Sequence, residues 1–381
     1  MTVTRILYVI GTLDLGGSEG QLVELATGLD RARFAPAVCC LSRGGPHQAR
    51  LEAAGIRVVV IPFPAPRSAA AFVRSAPCFA RLVALIRSVR PEVVHGFLFW
   101  GYVLGAFAAR LAGVPVVVAS RRSLAGFKSR PPYRQLRGLE RLANRLTDTV
   151  VANSEAVRAE TLATEGLAAE KVVVIHNGVD AARYETVPDA SLRRTLGVTP
   201  AARVVVVVAN LIAYKGHAGF LEAWTRVVAR VPAAMALLVG DGPLRAQLEA
   251  RAAALGLGPS VRFLGARRDV PAVLALADVV VHPSLEEGFS NAILEAMAAA
   301  RPVVASAVGG VPEAVVHEVT GLLTPPGDAE ALAAAVVSLL GDPGRSAKLG
   351  AAGRQRVMDL FTVGRMLRQY EALYVRHRRA V

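Results

Sequence analysis

Three cysteines in 381 residues leave little room for thiol chemistry. Cys39 and Cys40 are adjacent in an apolar run and Cys78 stands alone, so no CxxC pair and no metal-ligand spacing exists. Buried, inert thiols are expected. Long hydrophobic runs are also missing. The uncharged stretch Gly96–Ala109 is ended by Arg110 after 14 residues, whereas a spanning helix needs about 20. The apolar run Ile6–Ile10 is too short for a signal peptide, and Gly11, Thr12 and Asp14 follow at once. No transmembrane helix is expected, and the protein is expected in the cytoplasm or peripherally on the inner face of a membrane. Neither half contains GxGxxG, which disfavours a nicotinamide oxidoreductase. Lysine is scarce: only Lys128, Lys171, Lys215 and Lys348 occur among 44 basic residues.

What is present is apolar bulk and positive charge. Hydrophobic residues make up 53% and charged residues 19%, which excludes a disordered chain. The length suits two or three domains. The net charge of +14 favours anionic partners, such as nucleotides, phosphates or an anionic membrane surface. A compositional bias to arginine would account for it equally well.

Strand-like runs alternate with longer helical segments. They fall at Arg5–Ile10, Ala37–Leu41, Val58–Ile61, Val93–His95, Val116–Ala119, Val150–Ala152 and Val172–Ile175. The theme repeats at Val204–Ala209, Ala236–Val239, Val261–Leu264, Val279–His282 and Val303–Ser306. Continuous Val/Ile/Leu runs between helices imply parallel strands buried on both faces. Two such sets imply an α/β chain with two doubly wound domains. The first is expected over residues 1–185 and the second over 186–360. A helix at Phe361–Arg379 would pack back on the first domain. Ligands of such sheets bind beyond the strands' carboxyl ends, and two domains suggest a cleft between them.

Three loops carry candidate chemistry. Leu15–Glu19 (LGGSE) follows the first strand, and Gly16 and Gly17 would let backbone N–H groups approach a phosphate, although a tight turn capped by Ser18 fits as well. Asn210–His217 (NLIAYKGH) places Lys215 before a helix, where an ammonium can meet a diphosphate. His282–Met297 holds Glu287 in a loop and Glu295 inside an otherwise apolar helix. A lone carboxylate among Leu, Ala and Met is costly unless paired or ligand-bound. With the amides around Gly288 and Ser290, the pair suits a sugar nucleotide.

That segment resembles the glutamate pair of retaining glycosyltransferases of the glycogen-synthase and sucrose-synthase type (glycosyltransferase family 4, "group 1"). The resemblance extends along the chain through LGGSE, Val93–Phe99, Val151–Arg158, Val174–Asp180, Val208–His217, Val239–Pro243, Phe263–Val270 and Arg301–Glu313. It implies the GT-B fold, two Rossmann-like domains with a cleft between. It also implies roles. Glu295 would bind the ribose hydroxyls, and Glu287 would contact the donor sugar. Gly288, Phe289, Ser290 and Asn291 would line the sugar and phosphate pocket. Lys215 would hold the diphosphate, Gly16 and Gly17 would close from the other domain, and His95 would stand near the donor sugar. Arg267 or Arg268 would border the nucleobase. Many relatives carry an Arg a few residues before the lysine; here Asn210 and Ile212 occupy those places. No DxD pair precedes the site, so no metal is expected, and the nucleoside-diphosphate sugar is a substrate rather than a cofactor.

The segment Arg121–Arg145 is strongly basic: Arg121, Arg122, Lys128, Arg130, Arg134, Arg137, Arg141 and Arg145 against Glu140. From Tyr133 it reads as an amphipathic helix able to lie on an anionic bilayer. The acceptor is expected to be a sugar or a lipid-linked sugar. The segment has few aromatics to stack bases, so no nucleic-acid partner is expected. Competing readings are a sugar-nucleotide epimerase or hydrolase on the same fold, and a non-catalytic nucleotide-sugar-binding protein.

Overall fold

The computed structural model describes residues 3–64, 69–124, 126 and 133–379, with backbone alone for 69–74, 378 and 379. The chain forms two compact units, Met1–Gly178 with Val363–Val381, and Val179–Thr362.

The first unit holds a seven-stranded sheet ordered β3-β2-β1-β4-β5-β6-β7. Its strands are β1 (Thr4–Ile10), β2 (Phe34–Cys40), β3 (Arg57–Val60), β4 (Val93–Phe97), β5 (Val116–Arg121), β6 (Thr149–Ala152) and β7 (Val172–Val174). All neighbours are parallel. Helices cover both faces, so β1, β4, β5 and β6 are buried almost throughout. Their Val/Ile composition follows, because neither face meets water. Cys39 and Cys40 lie inside this sheet, and burial pushes both thiols up to about 12.

The second unit repeats the plan with six parallel strands ordered β10-β9-β8-β11-β12-β13. These are β8 (Arg203–Val208), β9 (Ala234–Val239), β10 (Val261–Gly265), β11 (Val279–His282), β12 (Val303–Ser306) and β13 (Gly321–Thr324). In both sheets the order reverses beside the first strand, which creates a switch point at the carboxyl ends of β1/β4 and of β8/β11.

The chain leaves the first unit after Gly178, earlier than the expected boundary at 185. Val179 N–H donates to Phe361 O at 2.8 Å, and Ala181 enters the second unit's core. The chain returns at Val363, where the helix Val363–Arg379 buries Met366, Tyr370, Leu373 and Tyr374 in the first unit. Among the described residues, no helix is long and apolar enough to cross a membrane.

Candidate active site

The second unit gathers its chemistry at the carboxyl ends of β8 and β11. After β8 the chain makes a short 3-10 turn, Ala213–Lys215, and enters the helix His217–Arg230. Gly216 joins the two at φ +72°, and Pro283 O stands where a Cβ would be. Only glycine fits that left-handed, crowded position. Leu285 N–H donates to Tyr214 O at 2.7 Å, tying the loop after β8 to the loop after β11.

This lacing brings Lys215 to Glu287, 72 positions away, with Nζ 2.5 Å from Oε2. Both side chains are mostly buried. His282, the last residue of β11, places Nε2 2.9 Å from the same oxygen, and Ser284 Oγ lies 3.0 Å from that nitrogen. Burial alone would raise the Glu287 carboxyl; the His282 hydrogen bond and the Lys215 charge outweigh it and hold the group at about 2. The carboxylate is therefore ionised at neutral pH. His217 opens its helix 2% exposed, and neither ring nitrogen has a partner among the described residues. Burial, with His282 and Lys215 nearby, lowers its pKa to about 4.

The loop then enters the helix Asn291–Ala298, capped by Ser290 Oγ accepting from Ile293 N–H at 3.4 Å. The first amides of a helix have no intrahelical partner and favour an anion. Phe289 was expected to line a pocket, but its ring is 3% exposed and packs 5.3 Å from Phe361. That side chain belongs to the core. Glu295 faces Tyr184 and Arg183 instead of Lys215. Burial raises its carboxyl to about 7 against the pull of Arg183 and Tyr184. Asn210 and Arg268 are exposed, Gly288 is buried, Asn291 is half-buried, and Arg267 is held by Asp269 at 2.6 Å.

In the first unit, Gly16 caps the helix Gly17–Gly28, so Ser18 sits inside the first turn rather than at the cap. Glu19 folds back against Gly16, its carboxylate resting where a Cβ would be. The expected placement of His95 beside a sugar needs correction. Its side chain is 0% exposed; Nδ1 lies 2.8 Å from Tyr374 Oη and Nε2 2.8 Å from Ser120 Oγ. With both nitrogens engaged inside the sheet, it fastens the C-terminal helix to β4 and β5.

The basic segment also divides. Arg121 is buried, paired with Glu165 at 2.8 Å and stacked on Tyr102 at 3.5 Å, so it belongs to no surface. Arg122 donates to Asn177 Oδ1 at 2.5 Å. Lys128 and Arg130 lie outside the described residues. Arg134, Arg137, Arg141 and Arg145 are exposed, whereas Glu140 is buried and accepts from Tyr102. The outer face of the helix Arg137–Leu146 therefore carries no acid.

His282, His217 and Tyr184 had no role assigned from sequence. The position of His282 at a strand's carboxyl end, directly before the glutamate loop, was the available signal.

Two parallel α/β units, one with an ion-paired lysine and glutamate beside a helix start at its switch point, define a two-domain, Rossmann-like class of protein with a candidate anion site. Comparison with known proteins gives the family. The glycosyltransferase family 4 model matches residues 15–183, and the group 1 glycosyl transferase model matches residues 202–342. The α-maltose-1-phosphate synthase of Mycolicibacterium smegmatis is 33% identical over 303 residues, 74% of this chain and 78% of that protein. The 2-deoxystreptamine glucosyltransferase of Streptomyces kanamyceticus is 32% identical, across 73% and 76%. Among solved structures, Anabaena Alr3699/HepE in complex with UDP-glucose superposes with a TM-score of 0.85 at 29% identity, covering 97% of this chain and 99% of that one. The chain belongs to the family 4, group 1 glycosyltransferases and has their GT-B fold.

Proposed function

We propose that this glycosyltransferase is a retaining, metal-independent enzyme of cell-surface polysaccharide or glycolipid synthesis. It moves a sugar from a nucleoside-diphosphate donor to an acceptor hydroxyl. The observation that carries this reading is the Lys215–Glu287 contact beside the start of the helix Asn291–Ala298. Lys215 and the amides of Gly288–Asn291 take the diphosphate, Glu287 the donor sugar, and Glu295 the ribose. Asn210 and Arg268, both exposed, border the nucleotide. Gly16 and Gly17 let the backbone approach a donor phosphate.

In this reading the anomeric C–O bond to the diphosphate breaks, and the acceptor oxygen bonds the same carbon from the same face. The hydroxyl proton passes to the departing phosphate. The barrier lies in leaving-group departure, so charge stabilisation by Lys215 is the main electrostatic contribution. The exposed arginines of the helix Arg137–Leu146 hold the enzyme on an anionic membrane surface, near a lipid-linked acceptor.

The test is a panel of UDP-, GDP- and ADP-sugars in EDTA, read by thermal shift and nucleotide release. UDP-glucose comes first, because the Anabaena protein binds it. One donor should stabilise the protein by mass action and be slowly hydrolysed. Lys215→Ala should cut turnover on the order of 100-fold, the effect of removing one preorganised donor. Stabilisation without hydrolysis, with or without acceptor, would favour a non-catalytic binding protein. Turnover that stops in EDTA would remove metal independence.

A further inference from the structure

Glu287 Oε2 carries two donors at once, the Lys215 ammonium at 2.5 Å and His282 Nε2 at 2.9 Å. Glu287 Oε1 has no hydrogen-bond partner among the described residues. An ionised carboxylate only accepts, so the shared hydrogen must sit on His282 Nε2, and Nδ1 is bare. Ser284 Oγ, 3.0 Å from the same nitrogen, is the weaker competitor for that hydrogen.

Lys215 cannot stay wholly with Glu287 and also neutralise a diphosphate. Its stem is flexible and its three N–H groups can turn, whereas His282 is 3% exposed at the end of a central strand. When a donor draws the ammonium away, a loop carboxylate would otherwise lose its principal anchor.

We propose that His282 is the positioning residue of this site. Its Nε2–H holds Glu287 Oε2 while Lys215 turns to the diphosphate, leaving Oε1 to the hydroxyls of the donor sugar. This rests on the nucleotide-sugar reading above. It also predicts where the effect of losing His282 falls: on recognition and turnover of the sugar, not on the nucleotide.

Burial, with help from Lys215 and against Glu287, lowers the His282 pKa, so the ring is neutral at neutral pH. His217 is likewise neutral. A neutral ring keeps a single N–H and a fixed tautomer.

The experiment compares wild type with His282→Ala and His282→Gln, whose amide can restore an N–H near the position of Nε2. Affinities for UDP and for UDP-glucose are measured separately, with turnover. His282→Ala should lower kcat/KM for the sugar nucleotide by roughly 10–100-fold, the scale of a small misplacement near the reacting centre. Affinity for UDP alone should stay within about twofold, and His282→Gln should recover most of the loss. Wild-type turnover in His282→Ala would overturn the proposal. So would equal losses for UDP and UDP-glucose, which mark a structural role.

Ring 15N shifts of the wild-type histidines, assigned against His282→Gln, give a readout independent of activity. A protonated Nε2 and bare Nδ1 between about pH 7 and 8 are expected; a bare Nε2 overturns the proposal. If wild type turns over no donor at all, the function reading fails while the tautomer still decides whether His282 holds Glu287. If His282→Ala does not fold, the Gln variant and the ring shifts carry the test.

Discussion

Glu287 and Glu295 are the same residue type, eight positions apart in one segment, yet they titrate in opposite directions. Glu287 meets an ammonium and an imidazole N–H, which hold its carboxyl at about 2; Glu295 has mainly burial acting on it, and rises to about 7. The difference has a kinetic consequence. A carboxylate accepts from two ribose hydroxyls better than a carboxylic acid does. Donor KM should therefore rise as pH falls from 8 to 6, while Glu295→Gln should flatten that profile at a uniformly higher KM. A wild-type KM independent of pH across that range would take the ribose role from Glu295. His95 shows the opposite outcome for a polar side chain at a strand end. With Tyr374 and Ser120 on its two nitrogens, its hydrogen-bonding capacity is already used by the fold.

At the scale of elements, the helix Arg137–Leu146 is the clearest case of charge sorted by packing. Ala143 and Glu140 are buried while Arg137, Arg141 and Arg145 are exposed. Each basic residue near an anionic bilayer contributes about 1 kcal/mol. Replacing these three by Glu should weaken co-sedimentation with phosphatidylglycerol vesicles by roughly 100-fold or more at low salt. Turnover on a soluble acceptor should be preserved. Retained vesicle binding would move the membrane contact elsewhere. The loops after β8 and β11 make a second element-level point. They act as one unit, because Gly216 admits Pro283 and Tyr214 bonds Leu285. Neither loop alone would bring Lys215 to Glu287.

Across the whole molecule, buried histidines set the response to acid. His95, His217 and His282 are buried, His377 is half-buried, and all four have depressed pKa values. Below about pH 6.5 the unfolded chain binds protons that the folded chain refuses, so stability falls with falling pH. His217, lowered to about 4, contributes about 2 kcal/mol of this loss at pH 5. Glu295 works the other way, because its raised pKa costs stability as pH rises from 4.5 towards 7, and the raised Glu19 acts in the same direction. Four depressed histidines stand against two raised glutamates, and Glu287 adds to the acid loss as pH falls from 4.5 to about 2. The urea midpoint should therefore be lower at pH 5 than at pH 7.5; an equal or higher midpoint at pH 5 would contradict this balance.

The sequence alone determined the architecture, because an uninterrupted Val/Ile run is stable only where both faces of a strand are covered. That rule missed β13, whose Gly321-Leu-Leu-Thr lacks such a run. It also placed the boundary at turn-forming residues, whereas the chain changes unit where Val179 bonds Phe361. Lys215, Glu287 and Glu295 were legible too, as charged groups beside or within apolar segments that need a reason to be there. Only the tertiary structure decided which side chains meet. It joined Lys215 to Glu287 across 72 positions, added His282 to the same oxygen, and closed Phe289 and His95 into cores. It also turned Arg121 and Glu140 inward. Burial and pairing depend on groups distant in sequence, so local pattern cannot assign a polar side chain to a ligand or to the fold.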